Sequence, residues 1–270
     1  MDNKQLDFCL LIPCYNNPQG LVASLKTVFY DADRFAVVIV DDGSAVPIHQ
    51  EQMKSELRNI DSITVLRNDL NRGITDALNL GLEWIEQHVH AKYIARLDCG
   101  DRCHQNRFYR QIEYLNAHPD IGLLGSWCVF KDKETSLSFE FKTPTRHETI
   151  QKAMHFGNVF IHSTTIFRTT LLKTAGNYPS EFAYAEDYAF FWKLLGITRS
   201  HILDEFLIIY EIDHDGLSIR NRQKQLASRA RIISKFGTNR LRKTAGILRA
   251  KTLSIIPKHL ALLAKRFVKK

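Results

Sequence analysis

Apolar positions in the first hundred residues fall into four short, nearly continuous runs. The polar stretches between them carry helical spacing. Residues 8–12 form the first run, and Pro13-Cys14-Tyr15-Asn16-Asn17-Pro18 follows, which reads as a buried strand and a turn. Asn17 is placed to cap a helix with Pro18 at its first position, and Leu21, Leu25, Val28 and Phe29 recur on one helical face. A second run, 35–40, ends in Asp41-Asp42-Gly43-Ser44. The pattern then predicts a helix over about 48–59 and a strand over 63–66. Asn71-Arg72-Gly73 opens another helix, whose apolar face holds Ala77, Leu78, Leu80, Gly81 and Trp84. The fourth run, 93–97, ends at Asp98.

Near-continuously apolar strands, alternating with helices, predict an α/β, Rossmann-like, mostly parallel sheet covered on both faces. In such sheets ligands bind beyond the carboxyl ends of the strands. The turn after Ile12, the Asp41/Asp42 pair and the Asp98/Asp101 pair all lie at those ends and should converge. The second half is less regular. It predicts helices over about 105–117 and 185–195, and strands near 121–130, 138–142, 164–168 and 206–211. There is no internal repeat.

A chain of 270 residues fits one large domain or two small ones, and 44% apolar residues is an ordinary globular share. Five cysteines at no repeated spacing, after a polar start (Met1 to Gln5) without a signal-peptide core, point to reduced thiols and a cytoplasmic protein. Cys99 and Cys103 lack a second Cys/His pair at zinc-site spacing. No apolar run reaches the ~18 residues of a spanning helix.

Charge divides the chain. Of 37 basic and 29 acidic residues, 16 basic and no acidic ones follow Asp215. A mildly acidic body therefore precedes a basic, helical extension suited to an anionic surface. Helices are predicted over 220–236 and 238–253, with a break at Gly237, and a last one from Pro257. In that last helix Leu260, Leu263, Ala264 and Phe267 share a face, and Lys258, Lys265, Lys269 and Lys270 lie off it. This is the pattern of an amphipathic helix in a membrane interface, or of a cap docked on the body. Phe267 is the single aromatic after Phe236, so the stacking platforms of a nucleic-acid binder are missing.

Asp98 and Asp101, three residues apart at a strand end, have the hard oxygen donors that suit Mg²⁺ or Mn²⁺. Around them stand Ile12-Pro13-Cys14-Tyr15-Asn16, Val40-Asp41-Asp42-Gly43-Ser44, Asn71-Arg72-Gly73 and Ala95-Arg96-Leu97-Asp98-Cys99-Gly100-Asp101. Further on come His162-Ser163-Thr164, Gly176-Asn177-Tyr178 and Ala185-Glu186-Asp187-Tyr188. In this order the motifs resemble those of family 2 glycosyltransferases with the GT-A fold, over about residues 8–215.

The resemblance implies an inverting, metal-dependent transferase that moves a hexose-type sugar from a nucleotide donor, most simply a UDP-sugar, to a glycan or lipid-linked acceptor. It implies cell-surface polysaccharide synthesis of the O-antigen, lipopolysaccharide or capsule type, at the cytoplasmic face of the inner membrane. It divides the chain into a domain over 1–215, with a nucleotide half over about 1–101 and an acceptor half over 102–215, and a tail over 216–270. Donor contacts fall to Pro13, Tyr15, Asp42, Arg72 and Asp98, with the pyrimidine near Pro13 and Tyr15 and a base N–H on Asp42. Asp101 is implied as the direct metal ligand and Asp98 as the second, toward ribose or through water, with His214 reaching the metal or diphosphate from the domain's end. Asp187 is implied as general base, with Glu186 and His162 on the acceptor side. The family's usual Asp-x-Asp-Asp has Gly100 at its third place here, and this suggests a rival reading: a sugar-nucleotide binder without catalysis.

Overall fold

The computed structural model describes residues 5–135, 137–212 and 220–255. Four strands, β1 (Leu6–Cys14), β2 (Phe35–Asp41), β3 (Ile63–Arg67) and β4 (Ala91–Arg96), run parallel in the order β3-β2-β1-β4. Phe8 pairs with Phe35, and Leu11 with Arg96. Alternate residues of β1 and β2 enter different cores, which is why these two runs are almost wholly apolar. Phe8, Leu10, Ile12, Val37 and Ile39 join one core. Cys9, Leu11, Ala36, Val38 and Val40 join the other.

The first core is covered by α1 (Pro18–Leu25), α2 (Gln50–Glu56) and α4 (Arg107–Ala117), through Leu21, Leu25, Met53, Phe108 and Ile112. The second is covered by α3 (Ile74–His88), through Ala77, Leu78, Leu82 and Ile85. Beyond β4 the sheet is mixed. It continues through β8 (Ile166–Arg168), β6 (Ile121–Asp132), β9 (Arg199–Ile212) and β5 (Arg102–Cys103), while β7 (Ser138–Phe141) pairs with β6. β8 is antiparallel to both β4 and β6, and β6 is parallel to β9. The parallel character predicted for the sheet holds in the first half and gives way in the second.

Several elements depart from the predicted bounds. The helix after β2 is shorter than 48–59, since Leu57 already leaves helical geometry. α1 stops at Leu25, leaving Phe29 half exposed in the next turn. α5 (His147–Met154) has no counterpart in the apolar pattern, because it buries only Ile150 and Met154. β9 begins at Arg199 rather than near 206, and β6 pairs with its polar first half. α6 (Leu172–Ala175) is a single turn, and α7 (Glu186–Leu195) lies where predicted.

The basic extension supplies α8 (Arg222–Phe236) and α9 (Arg240–Ile255), separated at Gly237. Ile232 and Ile233 of α8 enter the same core as α3 and α7. α9 crosses the end of α5 at Gly246, where a Cβ would lie 1.8 Å from the His155 carbonyl oxygen. Both helices are thereby packed onto the body. The predicted helix from Pro257 and the site residue His214 lie outside the described residues.

Candidate active site

The carboxyl ends of β1, β2 and β4 meet through side chains that tie three turns together. Asn16 sits in left-handed backbone (φ 50°). Its N–H donates to Ser44 Oγ at 2.9 Å, and its Oδ1 accepts from the Ala45 N–H at 2.8 Å. Asn17 caps α1 by accepting from the Gly20 N–H at 3.0 Å, as predicted. From α1, Ser24 Oγ accepts from the Gly100 N–H at 2.9 Å and so holds the loop after β4. Pro13 is buried beside Val40, and Tyr15 projects half exposed at the mouth of this region.

Asp42 is buried, and each of its oxygens accepts twice. Oδ1 takes Asn68 Nδ2 (2.7 Å) and the Arg72 N–H (3.0 Å), and Oδ2 takes Asn71 Nδ2 (3.0 Å) and the Gly73 N–H (2.8 Å). The carboxylate therefore fixes loop 68–73, and a base N–H reaching it would share an oxygen with one of these donors. Gly43 makes the crossing possible: with φ 72°, its missing Cβ would stand 2.4 Å from the Leu70 carbonyl carbon. The Arg72 side chain is left exposed at the rim.

Arg96, fully buried at the end of β4, joins the two halves of the site. Its Nη2 donates to Asp98 Oδ1 at 2.7 Å and its Nε to His162 Nε2 at 3.1 Å, and Nη1 donates to the Leu11 carbonyl. His162 Nε2 also contacts the Tyr178 hydroxyl at 2.9 Å. Because Arg96 can only donate, Nε2 is an acceptor and the imidazole is neutral; burial and the Arg96 charge push it down to about 3. Burial alone would raise Asp98, but the Arg96 charge with hydrogen bonds from Ser163 and Arg96 outweighs it, and the carboxyl lies below its ordinary range.

Asp101 is nearly sealed. It accepts from Ser163 Oγ and, at 3.0 Å, from the Glu211 N–H. Burial, reinforced by the neighbouring Asp98 charge, pushes it up to about 8. Asp98, its side chain one-third exposed, is the open member of this pair, while both Asp101 oxygens already accept hydrogen bonds; no group of three or more metal-ligating side chains forms among the described residues, so a divalent cation here would rely on one or two carboxylates. Gly100 adopts φ 107°, a conformation side chains rarely enter. Backbone geometry therefore accounts for a glycine at this place.

Glu186 and Asp187 open α7. Asp187 accepts from Asn158 Nδ2 at 2.8 Å and from the Tyr188 N–H at 2.7 Å. Burial pushes it up to about 6, opposed by the Tyr188 N–H, the Arg229 charge and Asn158. Burial and the Asp187 charge push Glu186 up to about 8, and its buried Oε2 has no hydrogen-bond partner among the described residues. The Asp98 charge bears on both carboxyls, so the strand-end pair and the α7 pair share one electrostatic neighbourhood.

Several contributors were not legible as site residues: Arg96, Ser163, Asn158, Tyr178 and Arg229. Arg96 carried a signal, a charge inside an otherwise apolar run. The α8 residues carried none. Gln225 Nε2 donates to the Tyr184 carbonyl at 3.1 Å and Ser228 Oγ to the Ala183 carbonyl at 2.9 Å. Arg231 Nη1 donates to the Glu181 carbonyl at 3.1 Å, and Lys235 pairs with the Glu181 carboxylate at 3.0 Å. Helix α8 thus clamps residues 181–184, the segment that delivers Asp187, including Tyr184 in left-handed backbone (φ 61°).

Residues 9–176 match the family described as Glycosyl transferase family 2, and the chain belongs to that family. It is a glycosyltransferase with the GT-A fold. The UDP-Gal:alpha-D-GlcNAc-diphosphoundecaprenol beta-1,3-galactosyltransferase of Escherichia coli is 28% identical over 201 residues, covering 72% of this chain and 70% of that one. Among solved structures, S. aureus TarS 1-349 in complex with UDP-GlcNAc superposes with a TM-score of 0.65 at 17% identity, covering 90% of this chain and 70% of that one. The mannosyltransferase PcManGT of Pyrobaculum calidifontis, in complex with GDP-Man and Mn²⁺, has a TM-score of 0.64 at 15% identity, covering 98% and 80%.

Proposed function

We propose that the protein transfers one hexose-type sugar from a UDP-linked donor to a lipid-linked glycan, with inversion, at an anionic membrane face during cell-surface polysaccharide synthesis. The observation that carries this reading is that a strand-end carboxylate set, Asp98 and Asp101, shares one electrostatic neighbourhood with a half-buried carboxyl on α7, Asp187, held near 6. The carboxylates serve the diphosphate side of a donor, and the α7 carboxyl serves the acceptor side. The E. coli relative's name specifies a UDP-Gal donor and a diphosphoundecaprenol-linked acceptor, which supports both halves of the proposal.

Asp98 and Asp101 would hold Mn²⁺ or Mg²⁺. Such an ion, when bound, supplies Lewis-acid stabilisation of the charge on the leaving diphosphate. Pro13 and Tyr15 frame the pyrimidine, Asp42 fixes the loop that walls it, and Arg72 lies at the rim for phosphate oxygens. The buried Arg96 keeps Asp98 ionised. Asp187 takes the proton from the acceptor hydroxyl as that oxygen attacks the anomeric carbon opposite the diphosphate, so one displacement inverts the configuration. Glu186, raised to about 8, is neutral near pH 7 and presents an O–H to orient the acceptor. His162, neutral and bonded to Tyr178, lines the floor below.

The test is turnover of a UDP-hexose panel with Mn²⁺ and a diphosphate-linked N-acetylhexosamine acceptor, with the product anomer read by NMR. A β-linked product from an α-linked donor supports the reading. Stable UDP-sugar binding without turnover on any acceptor or water supports the non-catalytic binder instead.

A further inference from the structure

Helix α9 is anchored to the body on one side and presents an unusual face on the other. Gly246 and Ala250 are buried, and Ile247 packs against the core. Opposite them Leu241, Leu248 and Ile255 recur every seven residues, two turns apart, and are 83%, 64% and 82% exposed. Three large aliphatic side chains in register are an ordered stripe, unlike the scattered apolar residues of an ordinary surface. At 3.6 residues per turn, Arg242 and Arg249 fall about 100–120° to one side of this stripe, and Arg240 and Lys251 about 60–80° to the other. Arg249 also donates to the Phe156 carbonyl at 3.3 Å, so the cationic border on that side is seated against the body. Neither α8 nor α9 contains an Asp or a Glu.

We infer that the outward face of α9 lies on an anionic lipid bilayer, with Leu241, Leu248 and Ile255 in the headgroup boundary and the flanking cations against lipid phosphates. The inference deepens the membrane-face reading proposed above and rests on it. Charge complementarity selects the occupant. A stripe bordered by cations on both sides, on a helix that contains no carboxylate, matches an apolar layer beneath a negatively charged one. A second copy of this face would bring cation against cation. No described helix is long and apolar enough to cross a membrane, so the contact is in-plane. The surface differs from the helix predicted after Pro257. It is built on α9, which the core already orients, so the bilayer would meet a rigid face rather than a tether.

The test is co-sedimentation of the full chain with phosphatidylcholine vesicles, with and without phosphatidylglycerol, at low and high salt. Leu241→Gln/Leu248→Gln/Ile255→Gln changes only exposed side chains and should bind anionic vesicles at least about tenfold more weakly, since three large aliphatic groups no longer leave water. Arg240→Gln/Arg242→Gln/Lys251→Gln should lose the preference for anionic over neutral vesicles. Far-UV circular dichroism and the melting temperature confirm the fold of both variants. Equal vesicle binding by the aliphatic variant, no vesicle binding by the wild type, or a wild-type dimer that the aliphatic variant converts to monomer would each overturn the inference. Transfer to a soluble acceptor, measured on the same samples, keeps the two readings apart. If transfer persists while α9 fails the vesicle test, only the membrane face is lost. If the wild type binds vesicles but never transfers, only the catalytic reading is lost.

Discussion

The side-chain amide of Asn158 donates to Oδ2 of Asp187 at 2.8 Å. A hydrogen bond to the ionised form of an acid favours that form, so Asn158 opposes the burial that raises Asp187 to about 6. The proposed base works when deprotonated, and kcat/KM should rise with pH through that value. Asn158→Ala removes a stabilising contact and should move the acid limb to higher pH, lowering activity more at pH 6 than at pH 8. An unmoved limb with a uniform loss of rate would show that Asn158 acts on something other than the base.

Asp42 makes a second case. Its four accepted hydrogen bonds hold Asn68, Asn71, Arg72 and Gly73. Asp42→Asn keeps the shape but sets an NH₂ against N–H donors. The loop should loosen and UDP affinity fall by about 1–3 kcal/mol, the scale for losing a hydrogen bond to a charged group. Calorimetric titration with UDP measures this directly. An unchanged dissociation constant would separate loop 68–73 from the donor.

Gly100 stands where the family usually has a carboxylate, at φ 107°. Gly100→Asp restores the residue but forces a side chain into disfavoured backbone, which costs about 1–3 kcal/mol. The variant should melt at a lower temperature and gain no turnover at saturating Mn²⁺. A variant with wild-type stability and higher activity would mean that the glycine reflects a lost ligand rather than backbone geometry.

Helix α8 reaches the segment before Asp187 through Gln225 and Ser228. Gln225→Ala/Ser228→Ala should lower kcat while leaving donor affinity near wild type, because the donor side is held from α1 and loop 68–73. A loss of donor affinity with kcat preserved would contradict the clamp.

The central strands of the parallel half, β1 and β2, were legible because each is buried on both faces. Phe8 and Cys9 feed different cores, and only apolar residues satisfy both. Elements that bury one edge were not legible: α5 shows two buried apolar residues to the pattern, and the start of β9 is polar and paired by β6. The carboxylates could be read because they sit in short motifs at strand or helix ends. Their partners could not. Asn158 reaches Asp187 across 29 residues and Arg96 reaches His162 across 66, and no local spacing encodes such contacts. The basic extension showed the same limit. Its charge pattern suggested a separate surface, while Ile232 and Ile233 place α8 in the core and Arg229 beside the proposed base.

The central claim is that Asp187 accepts the proton of the attacking hydroxyl. Asp187→Asn preserves size and hydrogen-bonding reach but cannot take up that proton. The decisive measurement is kcat for this variant at saturating donor and acceptor, with UDP affinity determined on the same preparation. We predict a fall in kcat of about 10²–10⁴-fold, the scale for a positioned base, with the UDP dissociation constant close to wild type. A kcat within a few-fold of wild type, or a fall explained by lost donor binding, would contradict the account.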